Sequence, residues 1–236
     1  MRTGRQHFVL VHGAWHGAWA WDRLRPVLER EGHRTLAVEL PIEDVGVDAS
    51  GYARVVAGAI DEEGWGDAVL VGHSMAGEAI PLVPALAPVR HLVFLGALIP
   101  APGERMIDVF AREGVLGDMS GAMEVDARGR RRWVDAGRAI EMLYADCEPA
   151  DACAAVARLR WQAGTPHEGA CPLRSFPDVA TSYVLMREDR MVLPDWSREA
   201  APGRLGVEPI EIGGGHSPML ANPEGLAELL VRLGAG

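Results

Sequence analysis

The sequence contains no lysine: all 23 basic residues in its 236 positions are arginine. That excludes Schiff-base catalysis and any step that needs a lysine proton donor. Cysteine is scarce. Cys147, Cys153 and Cys171 are odd in number and lack metal-ligand spacing, so they read as free thiols of a reducing compartment, with no metal implied. No apolar run approaches the ~20 residues needed to cross a bilayer. The FVLV stretch behind the N-terminal arginines is too short for a signal-peptide core. Together these absences point to a soluble, cytoplasmic protein with no membrane partner. A coherent basic face is also missing. Net charge is −10, and the one arginine run, Arg128 and Arg130–Arg132, is expected on a solvated loop or hairpin. Without such a face, nucleic acid is a poor partner.

What is present is an alternation of two patterns. Short apolar, β-branched runs at His7–Val11, Arg34–Leu40, Ala68–Gly72, His91–Gly96, Thr181–Met186 and Glu208–Ile212 read as strands. Most are hydrophobic throughout, as strands buried on both faces of a parallel sheet must be. Between and after them, Trp19–Arg30, Ser50–Glu63 and Pro223–Leu233 have helical spacing. This order predicts a doubly wound α/β sheet in one domain. The alternation lapses between Ala101 and about Asp178, where Ala136–Asp146 and Pro149–Trp161 read as helices. We expect that block, about 101–178, to be a helical cap inserted over the carboxyl ends of the strands, where open α/β sheets bind ligands.

Chemistry concentrates at three loops. In Val69-Leu70-Val71-Gly72-His73-Ser74-Met75-Ala76-Gly77 a strand runs into a tight turn and a helix start. A serine there needs small flanking residues and gains from helix-terminal N–H groups, the arrangement of a G-x-S-x-G nucleophile elbow. Ala76 departs from the strict pattern, and Pro81 and Pro84 must kink or shorten the following helix. The first strand ends in His12-Gly13-Ala14-Trp15-His16. In such a fold the Ala14 and Met75 N–H groups are the candidate oxyanion donors. Trp15 and His16 either line a substrate pocket or pack the loop, whereas Trp19 and Trp21 share a helix stripe. His12 is expected to brace its loop. The glycine loop Gly213-Gly214-Gly215-His216 offers His216 as general base. The acid is expected at Asp189, since the longer Glu188 points more naturally to solvent and Asp195 begins the next helix.

These segments together resemble a known family. FVLVHGAWHGAWAWDRL, VGHSMAG, RHLVFLGALIPAPGE, LYADC, REDRMVLP and GGGHSPMLANPEGLAELL are similar to stretches of small α/β-hydrolases. That group includes plant hydroxynitrile lyases, salicylate-binding-type methyl-ester esterases and their bacterial esterase relatives. The resemblance implies the α/β-hydrolase fold and a Ser74–Asp189–His216 triad with oxyanion donors Ala14 and Met75. It implies no cofactor and an apolar pocket. The expected reaction is serine-dependent cleavage of a small, apolar ester, thioester or lactone. The partner is that small molecule, and a homodimer is allowed. The resemblance also implies that cyanohydrin-cleaving members carry lysine directly after the base. Here that position is Ser217, which favours hydrolysis over a lyase, a tailoring reaction on the same scaffold, or a receptor that kept its triad.

Overall fold

The computed structural model describes residues 4–235. Its first half winds twice around strand β1 (His7–Val11), through α1 (Leu24–Arg30) to β2 (Arg34–Val38) and through α2 (Ala49–Glu63) to β3 (Ala68–His73). Next comes β4 (Val89–Leu95). A long excursion follows, made of α3 (Met106–Glu113), a hairpin of β5 (Met123–Val125) and β6 (Arg131–Trp133), α4 (Ala136–Leu143), α5 (Pro149–Val156) and α6 (Thr165–Glu168). The chain then returns through β7 (Ala180–Met186), α7 (Pro194–Ala200), β8 (Ile210–Ile212), α8 (Pro218–Ala221) and α9 (Pro223–Leu233).

Among the described residues six strands form one sheet in the order β2-β1-β3-β4-β7-β8, every pair parallel. Phe8, Val9, Leu10 and Val11 and all of β3 are buried, which is why these strands are apolar throughout. From β1 the chain first moves outward to β2. It then crosses back over β1 to β3 and continues the other way. Right-handed crossovers in opposite directions put α1 and α2 on opposite faces. The reversal opens a crevice at the carboxyl ends of β1 and β3, the two strands that lead into His12-Gly13-Ala14 and Ser74-Met75.

Local chemistry sets the helix limits. Asp48, two residues before the expected start at Ser50, caps α2 by accepting from Gly51 N–H at 2.8 Å, and Gly64 closes the helix in a left-handed conformation. Asp135 and Asn222 cap α4 and α9 in the same way. The single helix expected over Trp19–Arg30 is instead a 3-10 turn at Ala18–Trp21 followed by α1, with Pro26 in the first turn of α1, where its missing N–H is harmless. After the elbow the chain forms two 3-10 turns, Ser74–Glu78 and Ile80–Ala85, the second holding Pro81 and Pro84. The helices expected over Ala136–Asp146 and Pro149–Trp161 end sooner, at Leu143 and Val156.

The arginine run lies on the β5–β6 hairpin. Arg130 and Arg132 lie over the ring of Trp161, 5.5 and 4.7 Å from its centroid, and pair with Asp126 and Glu124. Arg131 N–H and C=O exchange 2.8 Å hydrogen bonds with Gln162, which ties the hairpin to the chain after α5. No helix among the described residues is long and apolar enough to cross a membrane.

Candidate active site

Ser74 stands at the end of β3 with φ 55°, a left-handed conformation that a serine adopts only under constraint. Such a conformation costs on the order of 1–3 kcal/mol, and packing holds it in place. A Cβ on Gly72 would lie 2.7 Å from Ile80 Cγ2. One on Gly77 would lie 2.0 Å from the Leu98 carbonyl oxygen. The requirement for glycine after the nucleophile therefore falls on Gly77, and Ala76 is accommodated in the core. Leu98 N–H donates to Ser74 O at 3.0 Å, which joins the elbow to the chain leaving β4.

The loop after β1 lies directly against the serine. A Cβ on Gly13 would meet Ser74 Cβ at 2.8 Å, so only glycine permits this approach. His12 is fully buried. Its Nε2 accepts from Leu40 N–H at 3.0 Å, which leaves Nδ1–H to donate to Gly13 O at 2.9 Å. Gly13 C=O and Ala14 N–H belong to one trans peptide and point in opposite directions. By holding the oxygen, His12 aims the Ala14 N–H away from itself. Trp15 follows with φ 63° and is gripped from the far segment: Arg160 N–H donates to its carbonyl, its indole N–H donates to Arg131 O at 3.2 Å, and its ring meets Trp133 edge to face.

His216 and Asp189 come together from loops after β8 and β7. His216 Nδ1–H donates to Asp189 Oδ2 at 2.8 Å, and both groups are buried. The other oxygen, Asp189 Oδ1, accepts from Met191 and Val192 N–H at 2.8 and 3.0 Å. Three donors thus hold the carboxylate with its charge toward the imidazole, leaving Nε2 of His216 unprotonated. Glu188 instead accepts from Gly214 N–H at 2.5 Å, and Asp195 pairs with Arg198 at the surface. Ser74 is tied to His216 through its chain neighbour, since His73 Nε2–H donates to His216 O at 2.8 Å. Among the described residues no direct hydrogen bond joins Ser74 to His216.

Burial dominates the electrostatics. It lowers the His12 pKa to about 3 and that of His16 to about 4, and it holds His73 well below the ordinary value. These rings are neutral near pH 7, so the site surrounds His216 with imidazoles that do not compete as charges. His16 donates from Nδ1–H to Ala14 O at 2.7 Å and accepts from Tyr144 O–H at 2.7 Å. The structure therefore encloses both Trp15 and His16 between the first loop and the segment preceding β7.

Comparison with known proteins agrees with this architecture. The model of the alpha/beta hydrolase family matches residues 8–229. The chain belongs to that family. It is 29% identical to an α-hydroxynitrile lyase of Arabidopsis thaliana, over 96% of each protein. It is 27% identical to the esterase PIR7B of Oryza sativa subsp. japonica, over 98% of this chain and 96% of the relative. The crystal structure of polyneuridine aldehyde esterase superposes with a TM-score of 0.82 at 21% identity, covering 97% of this chain and 99% of the other.

Within this α/β-hydrolase frame, several residues at the site were not anticipated from sequence. His73 adjoins the nucleophile candidate, yet its bond to the His216 carbonyl spans 143 positions. Tyr144 and Asp146 lie in the LYADC stretch, which carried the resemblance without indicating a role. Glu78, buried below the elbow, pairs with His167 of α6 at 2.6 Å, and burial raises its pKa.

Proposed function

We propose that the chain is a serine carboxylesterase acting on a small, apolar ester, thioester or lactone through an acyl-Ser74 intermediate. The observation that carries this reading is the three-donor clamp on Asp189, whose free edge meets His216 Nδ1 while Ser74 occupies a strained elbow beside Gly13. His216 Nε2 takes the Ser74 proton as Oγ attacks the carbonyl carbon. The oxyanion accepts from Ala14 and Met75 N–H, neither of which is used in a hydrogen bond among the described residues. His216 then protonates the leaving alcohol, and water, deprotonated by the same imidazole, releases the acid.

Residues 101–179 act as the lid in this reading. Apolar residues buried there, Met106, Val109, Trp133, Met142 and Leu143, suit an apolar acyl or alcohol group. The absence of lysine and the presence of Ser217 after the base count against cyanohydrin cleavage. The similarity to the Arabidopsis lyase keeps that reaction as the second reading.

The test is hydrolysis of p-nitrophenyl acetate by the wild type and Ser74→Ala, with a cyanohydrin assayed in parallel. The expected loss in the variant is at least about 10⁴-fold. Equal rates in both proteins would remove Ser74 from the mechanism, and cyanide release without ester turnover would establish the second reading.

A further inference from the structure

Three consecutive residues after α4, Tyr144-Ala145-Asp146, contact both halves of the proposed machinery. Tyr144 is fully buried, and its hydroxyl donates to His16 Nε2 at 2.7 Å. His16 passes the constraint on, donating from Nδ1–H to Ala14 O at 2.7 Å. The direction of this relay is fixed. A histidine that donates from Nδ1 and is neutral must accept at Nε2, so Tyr144 must be the donor. Burial keeps the Tyr144 pKa well above its ordinary value, so the proton stays on the phenol.

Two positions on, Asp146 Oδ2 accepts from Gly215 N–H at 2.8 Å, in the residue directly before His216. The triple-glycine loop is shaped around this carboxylate. A Cβ on Gly214 would lie 2.6 Å from one Asp146 oxygen and a Cβ on Gly215 2.8 Å from the other, and Gly214 has φ 101°. The turn itself is closed by Cys147 N–H donating to Tyr144 O at 3.0 Å, so the two grips are held at a set spacing.

Resting on the esterase reading above, we propose that the Tyr144–Asp146 turn is a positioning element that sets the oxyanion loop through His16 and the general-base loop through Gly215. Neither residue touches substrate. Seating this turn aligns the Ala14 peptide and the His216 backbone together, so a single segment between β4 and β7 completes both sides of the reaction centre. The base and the oxyanion donor come from loops 200 residues apart in sequence, and this turn is the short physical link between them.

The test uses Tyr144→Phe, Asp146→Ala and the conservative Asp146→Asn in the full chain. The readouts are thermal midpoint, ester turnover, affinity for a phenylboronic acid as a tetrahedral mimic, and Ser74 labelling by a fluorophosphonate. Tyr144→Phe is expected to lower kcat by about 10- to 100-fold with KM within about twofold, and to weaken boronic acid binding in proportion to kcat/KM. Asp146 is more exposed, so Asp146→Ala is expected to lower kcat by about 3- to 10-fold. Asp146→Asn, which keeps an acceptor oxygen for Gly215, restores most of it. Variants that lose thermal stability but keep wild-type kcat, boronic acid affinity and labelling rate would overturn the positioning role while leaving the esterase reading intact. A wild type that neither labels at Ser74 nor turns over ester would overturn both.

Discussion

Acidification should destabilise this fold well before its carboxylates titrate, because buried imidazoles surround the site. His12 has a pKa of about 3 and His16 of about 4 in the folded state, whereas both titrate near 6.5 once unfolded. A depressed folded pKa means that the unfolded chain binds more protons through this window. Stability from these rings is therefore complete above pH 6.5 and is lost as pH falls toward 4 for His16 and 3 for His12. Between pH 7 and pH 5 each ring loses about 2 kcal/mol, so the two together lose about 4 kcal/mol. His73, also held well below its ordinary value, acts in the same direction. Glu78 opposes them. Its raised folded pKa penalises the fold as pH rises, so acidification relieves part of that penalty. For a chain whose urea dependence is about 2–3 kcal/mol per molar, the net expectation is a midpoint lower by about 1.5 M at pH 5 than at pH 7. Urea titrations followed by tryptophan fluorescence at the two pH values measure this directly, and His16→Gln should remove about half of the difference. A midpoint that moves by less than about 0.5 M would refute the assignment of neutral, buried histidines around His216.

Three further outcomes follow from geometry. Asp189→Asn should preserve folding and lower kcat by about 10⁴-fold through the wrong histidine tautomer. Asp195→Asn, at an exposed pair with Arg198, should leave turnover unchanged; parallel kinetics of the two variants separate the acid candidates. Gly77→Ala drives a methyl group to 2.0 Å from a backbone oxygen, and we expect it to be destabilised by more than about 2 kcal/mol. That should appear as a thermal midpoint lower by about 5 °C or more, and an unchanged midpoint would mean that the elbow is not tightly packed.

The sheet was legible because burial on both faces leaves a strong mark on sequence. All six strands read from apolar runs are present, with ends displaced by at most two residues. The β5–β6 hairpin was not read as strands, since three-residue strands rich in arginine carry no periodicity. Helix ends were misjudged where a cap or a proline outweighed the hydrophobic stripe, as at Asp48 and in the 3-10 turns around Pro81 and Pro84. At the site, Ser74, His216 and Asp189 stand out because glycine spacing and strand ends reveal where loops converge. The grips of Tyr144, Asp146 and His73 were illegible for a different reason. Each is a contact between residues 69 to 143 positions apart, and nothing local distinguishes such a residue from an ordinary one.

The strand order has a consequence for how the protein is made. Strands β2, β1, β3 and β4 all lie within the first 95 residues and form one half of the sheet, with Ser74 already on its turn. Asp189 and His216 arrive only with β7 and β8, after the long excursion. Domains build from the N-terminus during synthesis. A nascent chain can therefore carry a formed elbow for more than half of its translation while its serine remains an unactivated alcohol. The chemistry is delayed until the last strands dock, and an incomplete chain released early is inert.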